Sequence, residues 1–323
     1  MSRQAEPAGT GGGGAPPGDA PWAPLERLLL RAGRGLLRPR LNRLRQYPPR
    51  ALRLSPPRPA RADPAGLPTL ALVTPSYNQG AFIAATIESV LAQGYPGLRY
   101  VVQDGASDDG TRAVLERLGS EVEWRSEPDG GQADAINRGF ARVTGEIMGW
   151  INSDDLLLPG ALAHVGGFFR AHPDVDVVYG HRIVIDEQGR EIGRWVLPRH
   201  DPRALAYTDY IPQETMFWRR AVWEAVGPLD ASYHYAMDWD FALRAQRAGF
   251  RFRRLPRFLG CFRVHAEQKT TSRHDELTCE MARLRARHFG RPVSQREISR
   301  GVRAYVVRQI AWDWGYRLGW LRA

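Results

Sequence analysis

Cysteine is scarce in this 323-residue chain, which contains only Cys261 and Cys279. Two cysteines without CxxC spacing cannot build a disulfide framework, and they fit a reducing compartment. Long apolar runs are also lacking, because no stretch approaches the roughly 18 residues of a membrane span. The start of the chain lacks the apolar core of a secretory signal peptide. We therefore expect a soluble, cytoplasmic protein.

Acidic residues are scarce at the two ends of the chain but not in its middle. Residues 1–66 contain twelve Arg and four acids, and residues 282–323 contain ten Arg and two acids, so each end carries a net charge of +8. Because the formal net charge of the chain is +10, residues 67–281 carry −6. A nucleic-acid enzyme more naturally places positive charge around its catalytic groove. The distribution favours an acidic domain with basic ends and no nucleic-acid partner; a non-catalytic protein that binds nucleic acid through its tails is an alternative.

Composition divides the chain into three regions. Residues 1–66 form a basic extension that is Gly/Pro/Ala-rich and disordered over 1–22 and ends in a Pro-rich linker. Within it, residues 24–46 combine Leu with seven Arg, which suits an amphipathic helix on an anionic membrane surface; a solvated Arg-rich tail is the equal alternative. We expect one α/β domain over residues 67–275, with halves 67–158 and 159–275, and a helical extension over 276–323.

The first half of this domain alternates strand-like and helix-like stretches. Apolar strands are predicted at LALVT, RYVVQDG, VEWRSEP and EIMGWIN, and helices at AFIAATIESVLAQ, SDDGTRAVLERL and QADAINRGFARV. This order predicts a parallel sheet with crossover helices, in which ligands bind beyond the carboxyl ends of the strands. After Pro159 we expect a hairpin that turns at residues 186–189, a helix that ends at Gly249, and strands broken at Pro256.

Polar residues follow the first two strands. The first strand runs into TPSYN, whose Tyr could cover a base or a phosphate, although this stretch is also a normal turn and helix cap. The second ends in QDGASDDGT, where Asp104 is placed to accept hydrogen bonds from a nucleobase and Asp109 to cap the next helix. A Ca²⁺ loop competes with this interpretation, but EF-hand spacing is absent.

The acidic pair Asp154 and Asp155 is the strongest single indication of a functional site in the sequence. It comes directly after the apolar run EIMGWIN, and two adjacent carboxylates beside a buried strand are costly without a counter-ion. A divalent cation that bridges them to diphosphate oxygens removes that cost and neutralises a leaving group. The alternative is a pair of capping residues for the helix after Pro159.

Several segments, taken in order, resemble family 2 glycosyltransferases of the GT-A fold: TPSYNQGAFIAATIESVLAQGYPGLRYVVQDGASDDGT, EPDGGQADAINRGFARVTGEIMGWINSDD and YAMDWDFALRA. The resemblance, which covers roughly residues 69–270, implies a Rossmann-like mixed α/β sheet flanked by helices; the residue pattern itself predicts the helical C-terminal extension. It also implies a Mg²⁺ or Mn²⁺ cofactor and a UDP-, dTDP- or GDP-linked sugar donor. Two departures stand out, because Asn152 replaces the first Asp of the family's metal motif and Met237 replaces the Glu that commonly precedes the base.

The resemblance assigns roles position by position. Eight residues match positions that bind the nucleotide-sugar: Pro75, Tyr77, Asp104, Gly131, Asp134, Asn137, Asp154 and Arg263. The implied metal ligands are Asp155, Asp154 and His265, although His265 is equally well a structural histidine. Asp238 is the implied general base, with Asp240 as its competitor and helix capping as the alternative role. The acceptor pocket is implied at Gln213, Glu214 and Trp239, and Trp218 could also stack on a sugar, although core packing explains aromatic residues equally well.

The predicted reaction is inverting, since the sequence offers one base and no obvious second nucleophile. The acceptor is expected to be a saccharide or a lipid-linked hydroxyl of the cell envelope. The QxxRW signature of processive synthases is absent, which favours transfer of single sugars. A sugar-phosphate nucleotidyltransferase is the alternative, but it needs a cation in a Gly-rich loop near the first strand, and TPSYNQG supplies none.

The C-terminal region shows a helical stripe made of Ile298, Val302, Tyr305, Gln309, Trp312 and Tyr316. Trp312, Trp314, Tyr316 and Trp320 cluster towards its end, as aromatic residues do in interfacial helices. Together with the basic flanks, this pattern favours peripheral contact with the inner face of the plasma membrane. The plain alternative is a helix that packs on the catalytic domain.

Overall fold

A mixed β-sheet forms the centre of the molecule. The computed structural model describes residues 43–54, 66–119, 121–266 and 274–321. The expected disorder of residues 1–22 and the larger part of the predicted amphipathic segment, residues 24–42, lie outside the described residues.

The first half of the domain is a parallel sheet with crossover helices. Strands β1 (Leu70–Ser76), β2 (Leu98–Asp104), β3 (Glu123–Ser126) and β4 (Ile147–Trp150) lie in the order β3-β2-β1-β4. They alternate along the chain with α1 (Ile83–Leu91), α2 (Thr111–Leu118) and α3 (Gln132–Arg142). Successive side chains of a strand point to opposite faces, so Leu72 packs in one core and Val73 in the other, both fully buried. The predicted elements of this half are confirmed.

The second half extends the same sheet with strands of both directions. Its elements are β5 (Leu156–Leu157), α4 (Ala161–Ala171), β6 (Val177–Ile185), β7 (Glu191–Trp195), α5 (Pro202–Leu205), a 3-10 turn (Gln213–Thr215), β8 (Phe217–Arg219), α6 (Arg220–Val226), α7 (Met237–Arg247) and β9 (Phe252–Arg263). The sheet continues from β4 as β8-β6-β9-β5. Strands β6 and β7 form the predicted antiparallel hairpin.

The expected strand break at Pro256 is wrong. Strand β9 runs without interruption through this proline and pairs in parallel with β6. The pairing register between β6 and β9 shifts at this point. Tyr179 of β6 pairs with Arg254 of β9, but the next pair joins His181 to Phe258. Pro256 therefore sits in a bulge, where its missing N–H removes no regular ladder bond.

Two helices, α8 (His274–Phe289) and α9 (Gln295–Arg317), end the described chain. Helix α9 starts with a reciprocal capping box between Ser294 and Glu297. Its predicted stripe packs inward, and the ring centroid of Tyr305 lies 4.2 Å from that of Tyr210. The stripe therefore packs on the catalytic domain, as the plain alternative held. Among the described residues, no helix combines the length and apolar character needed to cross a membrane.

Candidate active site

The carboxyl ends of the parallel strands bring the sequence motifs to one edge of the sheet. Ser76 at the end of β1 pairs with Asp104 at the end of β2, and Val73 pairs with Trp150 at the end of β4. The segments that follow these three strands therefore emerge side by side. This edge is where a doubly wound sheet places its ligand.

Two residues expected to contact the nucleoside differ in exposure: the ring of Tyr77 is exposed, and the carboxylate of Asp104 is buried. Tyr77 is 64% exposed, directly after Pro75 and Ser76 of β1. Asp104 is buried, and its Oδ2 accepts hydrogen bonds from Ser107 N at 3.0 Å and Ser126 Oγ at 2.6 Å, while Oδ1 accepts one from Ser107 Oγ at 2.5 Å. Since serine side chains already engage both oxygens, contact between Asp104 and a nucleobase stays a prediction. The exposed ring of Tyr77 is free to cover a ligand.

The start of α3 holds the GGQADAIN motif close to the acidic pair. Gly131 caps the helix at φ +106°, a conformation that side chains rarely tolerate. Asp134 accepts a hydrogen bond from Gly130 N at 2.8 Å. Asn137 donates to Leu229 O and accepts from Leu229 N, both at 2.9 Å, so its predicted contact with the donor is untested and its observed role is structural.

The acidic motif after β4 meets the end of β9. His265 Nε2 lies 3.0 Å from Asp154 Oδ2, and Arg263 N donates to Asp155 Oδ1 at 3.0 Å. Arg263 Nε also donates to the carbonyl oxygen of Asp154 at 2.8 Å. The ring of Phe82 packs 4.7 Å from that of His265. Residues that are 108 to 111 positions apart in the sequence thus form one site.

Arg263 has a second set of contacts that limits its predicted role. Its Nη1 donates to the carbonyl oxygens of Asp186 at 3.3 Å and Glu187 at 3.1 Å. These bonds tie the β6–β7 turn to the acidic motif. Binding of the donor diphosphate by Arg263 stays a prediction, and its observed contacts position the loop.

The residues around Asp154 fit a divalent cation that is shared with a ligand. Asp155 is 1% exposed, and burial, followed by the charges of Asp154 and Glu214, raises its pKa well above the usual value. Within the described ranges, no group of three or more His, Cys, Asp or Glu side chains forms a metal cage. Mg²⁺ needs no such cage, because it is commonly held by one or two carboxylates, substrate phosphates and water. The carboxylate–imidazole contact of Asp154 and His265 suits such a site.

The expected acceptor side contains a buried ion pair. Arg182, on β6, donates from Nε to Glu214 Oε1 at 2.8 Å and from Nη2 to Oε2. Its guanidinium also lies 4.4 Å from the ring centroid of Phe262 and 5.3 Å from that of Trp195. The pair is almost completely buried. It fixes a positive charge among carboxylates that otherwise repel one another.

Asp238 and Asp209 are two of those carboxylates. Burial raises the pKa of Asp238 to about 6, against the opposing effects of the hydrogen bond from Trp239 N and the charge of Arg182. Burial and then the charge of Asp238 raise the pKa of Asp209 well above its usual value. A carboxylate with a pKa just below neutrality is suited to accept a proton from a hydroxyl at neutral pH.

The structure separates Asp238 from its competitor Asp240. Asp240 is buried, and its Oδ2 binds Arg244 Nε at 2.7 Å, with Arg287 Nη1 3.7 Å from Oδ1. This paired carboxylate stabilises α7 and its contact with α8. Among the residues that the structure describes, Asp238 has no ion-pair partner, and its Oδ1 accepts the N–H of Trp239 at 2.8 Å. Of the two, Asp238 is the carboxylate without an ion pair, and its role as the base stays a prediction.

The expected stacking of Trp239 on an acceptor sugar is wrong. Its side chain is 1% exposed, and its Nε1 donates to the carbonyl oxygen of Leu205 at 2.7 Å. Trp218 is likewise fully buried in the core. Gln213 is buried too, and its Nε2 donates to the carbonyl oxygen of Trp150 at 2.9 Å. We call Gln213, Glu214 and the neighbouring Arg182 and Asp209 the acceptor wall, as the expected acceptor site; Gln213 links it to the end of β4.

Three residues of this site escaped the sequence interpretation. Gln132 Nε2 donates to Asn152 Oδ1 at 2.8 Å and so joins α3 to the acidic motif. Arg182 and Asp209 lie beside the expected acceptor residue Glu214. For Arg182 a signal was available, because a charged residue inside the buried run VVYGHRIVI demands a partner. For Asp209 the sequence carries no such signal.

Comparison with known proteins indicates the family of the chain. The family model described as Glycosyl transferase family 2 matches residues 71–224. A PGL/p-HBAD biosynthesis glycosyltransferase of Mycobacterium bovis is 30% identical over 182 residues, which cover 55% of this chain and 69% of the relative. The O-antigen biosynthesis protein RfbC of Myxococcus xanthus is 30% identical over 187 residues, which cover 56% of this chain and 15% of that much longer protein.

Solved structures share the fold at low identity. S. aureus TarS 1-349 in complex with UDP-GlcNAc aligns with a TM-score of 0.56 and 18% identity, covering 75% of this chain and 73% of that one. The mannosyltransferase PcManGT from Pyrobaculum calidifontis, in complex with GDP-Man and Mn²⁺, aligns with a TM-score of 0.53 and 21% identity, covering 76% and 67%. These two likenesses concern the fold alone.

Proposed function

This chain belongs to glycosyl transferase family 2 and has the GT-A fold, and from this premise we propose that it transfers a single sugar from a nucleotide-diphosphate sugar to a hydroxyl group, with inversion at the anomeric carbon. One observation carries the proposal. The buried Arg182–Glu214 pair acts electrostatically on both Asp155, next to the Asp154–His265 contact, and Asp238, so the proposed metal ligands and the proposed base lie around one ion pair. Family membership speaks against both the nucleotidyltransferase and the nucleic-acid-binding alternatives.

On the donor side, Asp154, Asp155 and His265 would hold Mg²⁺ or Mn²⁺. When bound, such a cation neutralises the charge that develops on a departing nucleoside diphosphate. Arg263 keeps Asp154 and Asp155 in place through its backbone N–H and its Nε. Tyr77 is exposed and able to cover the nucleoside, and Gly131 lets the backbone approach the diphosphate closely.

On the acceptor side, Asp238 takes the proton of the attacking hydroxyl. The oxygen then bonds to the anomeric carbon as the bond from that carbon to the diphosphate oxygen breaks, and the diphosphate leaves with the electron pair. Because attack comes from the face opposite the leaving group, one displacement inverts the configuration. Glu214, held by Arg182, forms the wall beside this base.

The relatives' names indicate the class of acceptor. One relative is named for PGL/p-HBAD biosynthesis and another for O-antigen biosynthesis. They support a saccharide or lipid-linked acceptor in cell-envelope polysaccharide or glycolipid synthesis. The donors bound by the structural neighbours, UDP-GlcNAc and GDP-Man, support a UDP-, dTDP- or GDP-linked sugar. We place the enzyme in the cytoplasm, peripherally on the inner membrane surface.

A panel of nucleotide-sugars tests this function. We expect one donor to raise the unfolding temperature in the presence of Mn²⁺ and to be hydrolysed slowly. Asp238→Asn should retain the donor-induced shift but lose turnover, whereas Asp240→Asn, the matched control, should lower stability and retain turnover. Retention of the anomeric configuration in the product, or no stabilisation by any donor, would overturn the proposal.

A further inference from the structure

The chain before the catalytic domain is bound to the edge of the sheet. The N-terminal segment (residues 43–54) runs antiparallel to β7, with Gln46 N donating to Ile192 O at 2.7 Å and Glu191 N donating to Arg50 O at 2.8 Å. The Glu191 side chain is fully buried and accepts from Tyr47 Oη at 2.5 Å and Arg50 Nη2 at 2.6 Å. A buried carboxylate thus fixes this segment in place.

The same edge receives the C-terminal end of α9. Arg194, on β7, donates from Nη2 to the carbonyl oxygen of Arg53 at 3.0 Å and from Nη1 to Tyr316 Oη at 2.7 Å. One guanidinium therefore touches both terminal regions. The basic ends of the sequence, more than 250 residues apart, meet on one surface.

This surface combines positive charge with exposed apolar side chains. We call residues 43–54 and 316–321 the docking face. The N-terminal segment exposes four arginines and contains no acid: Arg43, Arg45, Arg50 and Arg53. Beside them, Leu54 is 39%, Leu318 52% and Trp320 79% exposed. Within the described part of the chain, these are three of the five exposed large hydrophobic side chains.

The docking face adjoins the acceptor wall. Trp195 Nε1 donates to the carbonyl oxygen of Arg43 at 3.3 Å, and the Trp195 ring lies against the guanidinium of Arg182. Arg182 in turn holds Glu214. Two side chains therefore separate the N-terminal segment from the acceptor site.

We propose that the docking face binds the surface of an anionic lipid bilayer and so presents the acceptor side of the enzyme to the membrane. Arginine beside exposed Trp and Leu is the combination that binds at an anionic interface. The inference deepens the proposed function, since it rests on an acceptor at the membrane.

The test is co-sedimentation of the full chain with vesicles of phosphatidylcholine alone or mixed with phosphatidylglycerol. We expect binding only to the anionic vesicles, weakened by salt. Arg45→Ser/Arg53→Ser should lower the partition coefficient about 25-fold, at about fivefold per arginine. Trp320→Ser should weaken binding severalfold. The matched control, Arg112→Ser/Arg117→Ser, removes two exposed arginines from α2, near the β3 edge of the sheet, and should leave binding unchanged.

Three results would overturn the proposal: equal binding to neutral vesicles, equal loss in the α2 control, or unchanged binding in both docking-face variants. Self-association through this face without vesicle binding, seen by light scattering, would also overturn it. The experiment contains no sugar donor. Its failure is therefore distinct from failure of the proposed transfer reaction, which donor hydrolysis reports separately. Unfolding temperatures of all variants verify that each one folds.

Discussion

Removing Arg182 should strongly destabilise the protein. Arg182→Met keeps a long side chain between Phe262 and Trp195 but leaves the fully buried Glu214 carboxylate without its bidentate partner. Breaking a buried pair in this way costs about 3–5 kcal/mol. In a domain of this size, each kcal/mol lowers the unfolding temperature by about 2–4 °C, so the expected loss is about 6–20 °C.

A double-mutant cycle measures this pair directly. Arg182→Met/Glu214→Leu removes both charges and should recover at least half of the stability lost in the single variant, as urea denaturation reports. Arg50→Met is the matched control: Arg50 also pairs with a buried carboxylate, Glu191, but its own side chain is 56% exposed and Arg194 remains in place. We expect the control to lose about 1 kcal/mol or less. A double variant less stable than Arg182→Met would refute the reasoning.

Three further predictions concern the site. Asp238 must be ionised to act as a base, and its pKa is about 6, so kcat/KM should fall about tenfold per pH unit below that pH; a flat profile between pH 5 and 7 would contradict this. His265→Ala should raise the Mn²⁺ concentration for half-maximal turnover by on the order of tenfold or more, and an unchanged titration would refute the metal role. Asn137→Ala should lower the free energy of unfolding by about 1–3 kcal/mol, because two backbone groups of Leu229 lose their partner; equal urea midpoints would contradict that.

The nucleotide-binding half was predictable because its signals are local. Each strand is a short apolar run, and each helix shows a period near 3.6, as in the stretch that became α1. The turn residues also follow local rules. Gly249, for example, takes φ +89° just after α7, where the sequence predicts that the helix ends. Such features depend on residues a few positions apart, so no knowledge of the tertiary fold was needed.

The acceptor half was less predictable, because the roles of its residues depend on which side chains are buried and on which distant residues they pair with. Trp239 lies next to the base in sequence, but its ring turns into the core as α7 packs on α5. Arg182 and Glu214 are 32 residues apart, and only the positions of β6 and the 3-10 turn bring them together. Pro256 is tolerated because β6 and β9 share a bulge. A sequence pattern records the polarity of a residue but not the partner that the topology supplies.

The uneven distribution of charge along the chain would help to orient the protein at a bilayer. Residues 67–281 carry −6, whereas the docking face, residues 43–54 and 316–321, contains five arginines and no acid. If this face binds an anionic bilayer as proposed, attraction on the docking face and repulsion on the acidic domain would turn the docking face towards the lipid. Trp195 contacts both the N-terminal segment and Arg182, so this orientation would also bring the expected acceptor side close to the membrane. Exchanging the exposed arginines of the two ends for lysines keeps the positive charge that orients the protein, whereas exchanging them for glutamates reverses that charge. Transfer of the sugar to an acceptor embedded in a bilayer should therefore survive the lysine exchange and fail after the glutamate exchange. Donor hydrolysis in solution should be equal in both variants.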